Sequence, residues 1–221
     1  MTLTKLGLYS LQHRGQESAG IVAVDEGGAA RGVRSMGLVS DMPNAQLDAL
    51  HGTMAIGHTR YSTAGSSTIE NAQPVLVSSR GGHIALAHNG NLTNAGELRA
   101  ELEDLGSIFN SSMDSEVIVH RLARSPAEKP EERLADALQG VDGAFSLLMV
   151  IGDTLLAARD PRGWRPLVMG RLNGAPVFGS ETCALDIVGA TYERDIEPGE
   201  IFAVDAEGER SIFPLPRKDL K

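Results

Sequence analysis

Four short segments set glycine beside charged or amide side chains: His13-Arg14-Gly15, Gly57-His58-Thr59-Arg60-Tyr61, His88-Asn89-Gly90-Asn91 and Ser112-Met113-Asp114-Ser115-Glu116. Singly, each reads as turn chemistry, because Gly, Asn, Asp and Ser are the residues that tight turns use. Together they hold what an amino-acid ligand requires. Arg60 offers a bidentate fork to a carboxylate, and Asp114 can accept from an ammonium. The Asn89 side-chain amide and the Gly90 N–H can form an oxyanion hole for a reacting carbonyl, and glycine at position 90 lets the backbone run close past a ligand. The other polar groups carry plainer readings. His58 and His88 read as hydrogen-bonded structural histidines. The six histidines show no metal-ligand spacing, and the acidic residues among 99–104 read as a solvated helix face.

The elements that must position these groups follow from hydrophobic spacing. Leu3, Leu6 and Leu11 predict a helix that ends at Gly15. Residues 21–24 read as a strand with a turn at Asp25-Glu26-Gly27-Gly28, and 33–38 as its return. A short helix is predicted over 44–50, a strand over 54–58 and a polar loop over 62–71. A hairpin joins 75–77 to 84–87 through Arg80-Gly81-Gly82 and runs straight into the His88-Asn89-Gly90-Asn91 segment. Leu98, Leu102 and Leu105 share one helical face before Gly106, and further helices are predicted over 114–122 and 131–138. Strands over 145–151 and 154–158 flank Gly152-Asp153, Asn173-Gly174 marks another hairpin, and 201–204 is a last strand after Pro198-Gly199. Strands, then helices, then strands point to an α+β fold of two antiparallel sheets with helices outside, in a single domain over 1–221.

Bulk properties exclude several classes of function. The chain has 221 residues, 42% hydrophobic and 22% charged, which is ordinary globular composition. A net charge of −9 with no basic cluster argues against a nucleic-acid partner. One cysteine, Cys183, excludes a disulfide framework or a cysteine-based metal site and fits a reducing compartment. No stretch of about 18 apolar residues is present, so no membrane span is expected, and a cytoplasmic location follows.

In order along the chain stand GLYSLQHRGQESAGI, AIGHTRYSTAGSSTIENAQP, LAHNGNLTNAGEL, SSMDSEV, DPRGWRPL and SETCALDIVGATYERDIEPGE. From about Leu6 to about Val204 the chain resembles the class II glutaminase domain of the amidophosphoribosyltransferases, enzymes of purine synthesis. The HRG, HTRY and HNGNL elements are shared in some form by other class II amidotransferases, whereas HTRYSTAG and SETCALDIVGA favour this family. The resemblance implies a four-layer αββα sandwich of the N-terminal-nucleophile hydrolase type. It implies glutamine as ligand, held by Arg60 on its carboxylate and Asp114 on its ammonium. Asn89 and Gly90 would form the oxyanion hole, Arg14 and Gly15 would shape the surroundings of the nucleophile, and Tyr61 would close over the site. The reaction would be glutamine to glutamate plus ammonia, for phosphoribosylamine formation. No cofactor or metal is implied in this domain. The partner implied is a phosphoribosyltransferase domain or subunit, and association into a homo-oligomer stays open.

The family's nucleophile is a cysteine at the processed N-terminus, at the head of a first strand upstream of the HRG helix. Met1 stands too close to Arg14 to leave room for that strand. The expectation is therefore a domain without its first strand or nucleophile, without the phosphoribosyltransferase half, and inactive in hydrolysis as it stands. The alternative is a nucleophile-free glutamine- or glutamate-binding pseudoenzyme or partner subunit. Cys183 reads as a buried small hydrophobe, and Thr2, with its own amine if Met1 were removed, would sit on the helix away from the oxyanion donors. Trp164 reads as a packed loop anchor, with an interface toward a second domain as its other role.

Overall fold

The computed structural model describes residues 2–61, 66–79 and 82–218. Along the chain run α1 (Thr2–Ser10), β1 (Ser18–Val24), β2 (Ala30–Met36), α2 (Asn44–Asp48), β3 (Met54–Arg60), β4 (Val75–Ser79) and β5 (Gly82–Leu92). They continue with α3 (Ala95–Asp104), α4 (Glu116–Arg124), α5 (Pro130–Leu138), β6 (Gly143–Ile151), β7 (Thr154–Arg159), β8 (Val168–Leu172) and β9 (Ala175–Gly179). Last come α6 (Thr182–Val188), β10 (Thr191–Asp195), β11 (Ile201–Asp205) and β12 (Gly208–Ile212).

All ladders are antiparallel. A six-stranded sheet has the order β12-β11-β7-β6-β5-β4, and two three-stranded sheets, β2-β1-β3 and β10-β8-β9, lie against it. Side-chain alternation sorts the core into layers. Ile84 and Leu86 of β5, with Leu147, Met149 and Ile151 of β6, face Leu98, Leu102, Ile118, Leu122, Leu134 and Leu138 of α3–α5. The intervening Ala85, Ala87 and Val150 face Val22, Val24 and Ile56 of the β2-β1-β3 sheet. The other face of β1, Ala19, Ile21 and Ala23, packs under Leu8 of α1 and Leu47 of α2. Ala157 and Phe202 of the large sheet meet Leu167, Met169 and Ile196, and Leu185 of α6 covers the far side of β8. The result is the αββα sandwich expected from the resemblance.

The upper β-layer is split in two. Among the described residues β3 pairs only with β1, and β9 only with β8. The free edges of β3 and β9 line a groove of about 230 Å³ with Leu3, Leu8 and Leu11 along it, α6 beside it, and Leu148 and Leu155 of the large sheet as its floor.

Several boundaries differ from the expectations. The first helix stops at Ser10 and gives way to a 3-10 turn over Gln12–Arg14, with Gly15 as its extended cap. Leu8 and Leu11 are its buried residues, while Leu3 is 49% exposed. The helix expected from 114 starts at Glu116, because Asp114 spends its carboxylate on neighbouring N–H groups instead of turning into the helix. Leu105 caps α3 and is exposed. Residues 62–65 of the polar loop and 80–81 of the hairpin turn lie outside the described residues. Trp164 is 51% exposed, not packed, and Cys183 is only partly buried, with Sγ 3.8 Å from the Ser10 carbonyl and 3.7 Å from a Glu181 oxygen.

Candidate functional site

The His88-Asn89-Gly90-Asn91 segment belongs to β5 and is not a loop. That placement determines which way its amides point. Phe145 of β6 directs both polar groups toward Asp160: its N–H lies 3.3 Å from Oδ2, and its carbonyl accepts the Asp160 N–H at 2.9 Å. Gly90 stands opposite Phe145 in the β5–β6 ladder. Antiparallel partners alternate between hydrogen-bonded and non-bonded pairs, so Gly90 is non-bonded toward β6 and its N–H leaves the opposite edge of β5. The β4 ladder ends at the Val75–Leu86 pair and does not cover that stretch. The neighbours of the same parity confirm the direction: His88 N–H donates to Gln73 Oε1 (2.6 Å) and Leu92 N–H to Asp114 Oδ2 (2.8 Å). Between these two anchored amides the Gly90 N–H faces a cleft of about 410 Å³. A Cβ at position 90 would overlap the Ala144 carbonyl and approach His88 Nε2 to 2.8 Å, so the close passage of β5 over β6 requires glycine.

The cleft gathers most of the residues singled out in the sequence. Arg14, Arg60, Tyr61, Asn89, Gly90 and Asp114 all line it. The Asn89 Nδ2 is buried with no hydrogen-bond partner among the described residues, a donor held in readiness. Tyr61 stands exposed at the rim. Gly15 is not a lining residue. It lies against the end of β3, where a Cβ would come within 2.5 Å of the Arg60 carbonyl carbon. Arg60 is 4% exposed and its Nη1 is engaged by the Glu17 carboxylate.

Electrostatics divide the cleft into stations. Burial alone would raise the Asp114 pKa, but the His88 ring 3.5 Å away and the Leu92 and Ser115 N–H groups outweigh it, so the carboxyl is held below its ordinary value and stays ionised. His58 is pushed down to about 4, first by burial. The hydrogen bond from Nε2 to the His88 carbonyl (2.9 Å) opposes that shift, and the neighbouring His88 ring and the charges of Arg60 and Arg14 reinforce it. His58 is therefore neutral near pH 7, with Nε2–H as donor. Both histidines have one ring nitrogen bonded or paired, as expected, and one buried without a hydrogen-bond partner among the described residues, Nδ1 of His58 and Nε2 of His88. Glu181 bridges His13 and Arg14 at the cleft wall.

Sequence reasoning missed Glu17, Gln73, Arg165 and Glu181. Glu17 carried one signal, a lone charge at the head of a strand buried along its whole length. Arg165 lines both the cleft and an outer groove beside Trp164, and its guanidinium has no ion pair or hydrogen bond among the described residues. The loop that carries it is braced by Arg159, which donates to the carbonyls of Arg165, Gly163 and Ile196, and by fully buried Asp160. No group of three or more His, Cys, Asp or Glu side chains among the described residues is arranged to hold a metal ion, and no helix among them is long and apolar enough to cross a membrane.

The profile of the glutamine amidotransferase domain family matches residues 58–186. Amidophosphoribosyltransferase 2, chloroplastic, of Arabidopsis thaliana is 50% identical over 221 residues, covering 99% of this chain and 39% of the relative. Amidophosphoribosyltransferase of Bacillus subtilis is 46% identical over 211 residues, covering 95% of this chain and 44% of the relative. The solved glutamine phosphoribosylpyrophosphate amidotransferase of B. subtilis, complexed with ADP and GMP, superposes with a TM-score of 0.91 at 43% identity, over 96% of this chain and 46% of that one. The chain thus spans less than half the length of these relatives. With the match across the cleft and over more than half of its residues, the chain belongs to the glutamine amidotransferase domain family, and these relatives within it are amidophosphoribosyltransferases.

Proposed function

We propose that this domain binds glutamine in the cleft between β3, β5 and the Glu181 segment and is the glutaminase unit of an amidophosphoribosyltransferase. The observation that carries the reading is the open station on β5: the Gly90 N–H between two anchored amides, with the unpartnered Asn89 Nδ2 beside it. Two preset donors converging there fit an oxyanion better than a resting carbonyl, because their stabilisation grows as charge develops on the oxygen. Arg60 then takes the α-carboxylate, Asp114 the α-ammonium, and Tyr61 covers the rim. Arg14 shapes the wall, and Gly15 acts through its contact with Arg60. One domain spans the chain, and its partner is a phosphoribosyltransferase domain or subunit that consumes ammonia. The single cysteine fits a reducing compartment such as the cytoplasm; the plant relatives carry "chloroplastic" in their names.

Hydrolysis needs a nucleophile, and no thiol lines the cleft among the described residues, since Cys183 lies outside it. The groove between the free edges of β3 and β9 supports an extended strand as the missing carrier. Such a strand would pair on both sides, join the two small sheets into one, and bring its first residue to the cleft, whose lining shares Leu8, Leu11, Gly57 and Ser180 with the groove. The same observation favours a second reading for the chain by itself, a glutamine- or glutamate-binding module without hydrolysis.

Isothermal calorimetry of the 221-residue chain with glutamine, against Arg60→Ala, tests the binding claim. Saturable binding that the variant abolishes supports it. A folded chain that binds no glutamine overturns it. A version carrying an upstream cysteine-headed strand should release ammonia from glutamine; a folded version that binds glutamine but releases none leaves the binding-module reading.

A further inference from the structure

Arg60 is held by more than its own strand. The Glu17 N–H donates to the Arg60 carbonyl at 3.0 Å, and the Gly37 N–H donates to the Glu17 carbonyl at 2.8 Å. Glu17 is therefore fixed through both of its main-chain groups. Gly15 completes the bracket, since any side chain there would collide with the Arg60 backbone. From this fixed base the Glu17 carboxylate engages Arg60 Nη1, and both side chains are largely buried, at 15% and 5% exposure.

We propose that Glu17 is the positioning residue of the ligand clamp: by taking Nη1 it sets the plane of the Arg60 fork toward the cleft. This rests on Arg60 holding the ligand's α-carboxylate. An arginine side chain has several staggered torsions and would sample many directions in an open cleft. A lone buried guanidinium is also costly to desolvate. A carboxylate anchored by its own backbone removes both problems before ligand arrives, and pre-ordering of this kind shows as affinity. It also makes the clamp a contest. The Arg60–Glu17 and Arg14–Glu181 pairs are each electrically neutral, which leaves the Asp114 carboxylate and the Arg165 guanidinium as opposite charges of the lining, a match for a zwitterion whose ammonium meets Asp114.

Two readouts on Glu17→Gln and Glu17→Asp test this, with Arg60→Lys as control. The first needs no ligand: the Nε–H resonance of Arg60, identified by its disappearance in Arg60→Lys, should be sharp and distinctly shifted in the native chain. It should collapse toward the position of solvent-exposed arginines in Glu17→Gln and return in part in Glu17→Asp. The second is calorimetry, in which Glu17→Gln should weaken glutamine binding tenfold or more while the dispersed backbone-amide spectrum shows the fold intact. An unmoved Arg60 resonance, or a glutamine affinity within twofold of native, overturns the positioning role. If Arg60→Lys leaves glutamine binding unchanged, the carboxylate assignment of Arg60 fails instead, whatever Glu17 does. Should Glu17→Gln not fold, the comparison passes to Glu17→Asp, where a native resonance and affinity despite the shorter reach overturn the role.

Discussion

Glu181 accepts from two side chains of one 3-10 turn: Arg14 Nη1 lies 2.5 Å from Oε1 and His13 Nε2 lies 3.0 Å from Oε2. The contact ties the wall of the cleft on the α1 side to the residue that caps α6. The hydrogen bond from Arg14 is the main cause of the lowered Glu181 pKa, against a smaller opposing effect of burial, with the His13 hydrogen bond and the Arg14 charge adding to it. A depressed carboxylate pKa stabilises the fold above the unfolded value and loses that contribution as pH falls through the folded one. The pair is partly open to solvent, so water and salt screen it, and exposed pairs contribute about 0.2–1 kcal/mol. Glu181→Gln should lower the melting midpoint at pH 7 by only a few degrees, and the gap from the native chain should close in 1 M salt. A gap that persists in high salt would contradict an electrostatic latch.

His58 makes the fold acid-sensitive over a defined window. Its folded pKa is lowered to about 4 from 6.5. Between those values the unfolded chain binds a proton that the folded chain does not, so stability falls as pH drops through the window and is complete above it. A shift of that size corresponds to about 3 kcal/mol, an upper bound because His58 borders the cleft and keeps some contact with solvent. Urea melts at pH 7 and pH 4 should show His58→Gln losing less stability on acidification than the native chain, by up to that amount. Parallel pH profiles for the two chains would sink the claim.

Glycine is required at position 90 and is only convenient at position 96. The Cβ of Gly90→Ala would overlap the Ala144 carbonyl in the β5–β6 ladder, whereas the Cβ of Gly96→Ala in α3 meets nothing within 4 Å. Gly96→Ala should stabilise the chain by about 0.5–1 kcal/mol through helix propensity. Gly90→Ala must push two strands apart and should cost about 1–3 kcal/mol, as overpacking does. Thermal melts of the two variants check the opposite signs, and a Gly90→Ala chain as stable as native would show that β5 passes farther from β6.

Two antiparallel sheets with helices outside were legible because the apolar runs of β5 and β6, the turn signals and the Leu98–Leu102 spacing of α3 are local signals, while the four-layer order came from the resemblance. The site residues were legible as types but not as a geometry. His88-Asn89-Gly90-Asn91 looks like a turn, and only the end of the β4 ladder, a fact of pairing far along the chain, turns it into an open strand edge. Glu17 and Glu181 were illegible for a related reason. Each acts through an ion pair with a distant or backbone-bracketed partner, and a carboxylate in a polar run says nothing about which guanidinium it meets. Trp164 shows the converse failure: its aromatic ring predicts burial, while the loop around it is held by Arg159 and Asp160 and leaves the ring outside.

That loop gives the last test. The Arg159 guanidinium donates to three carbonyls, of Arg165 (2.8 Å), Ile196 (2.8 Å) and Gly163 (3.0 Å). Asp160 accepts from the N–H groups of Arg162 (2.9 Å) and Trp164 (3.0 Å). The two residues thus satisfy a turn that has no ladder of its own and aim Arg165 into the cleft. Arg159→Met keeps much of the packed stem and leaves three carbonyls without their donor. Hydrogen bonds to a charged group contribute about 1.5–3 kcal/mol each, but water reaches the outer carbonyls once the loop opens, so the net loss should be nearer 2–4 kcal/mol. Limited proteolysis with trypsin should cut after Arg162 in the variant and spare the native chain, because trypsin needs an opened loop to seat that arginine; the bond after Arg165 leads into Pro166 and is not a trypsin site. Equal resistance in both chains would mean that Asp160 alone holds the turn.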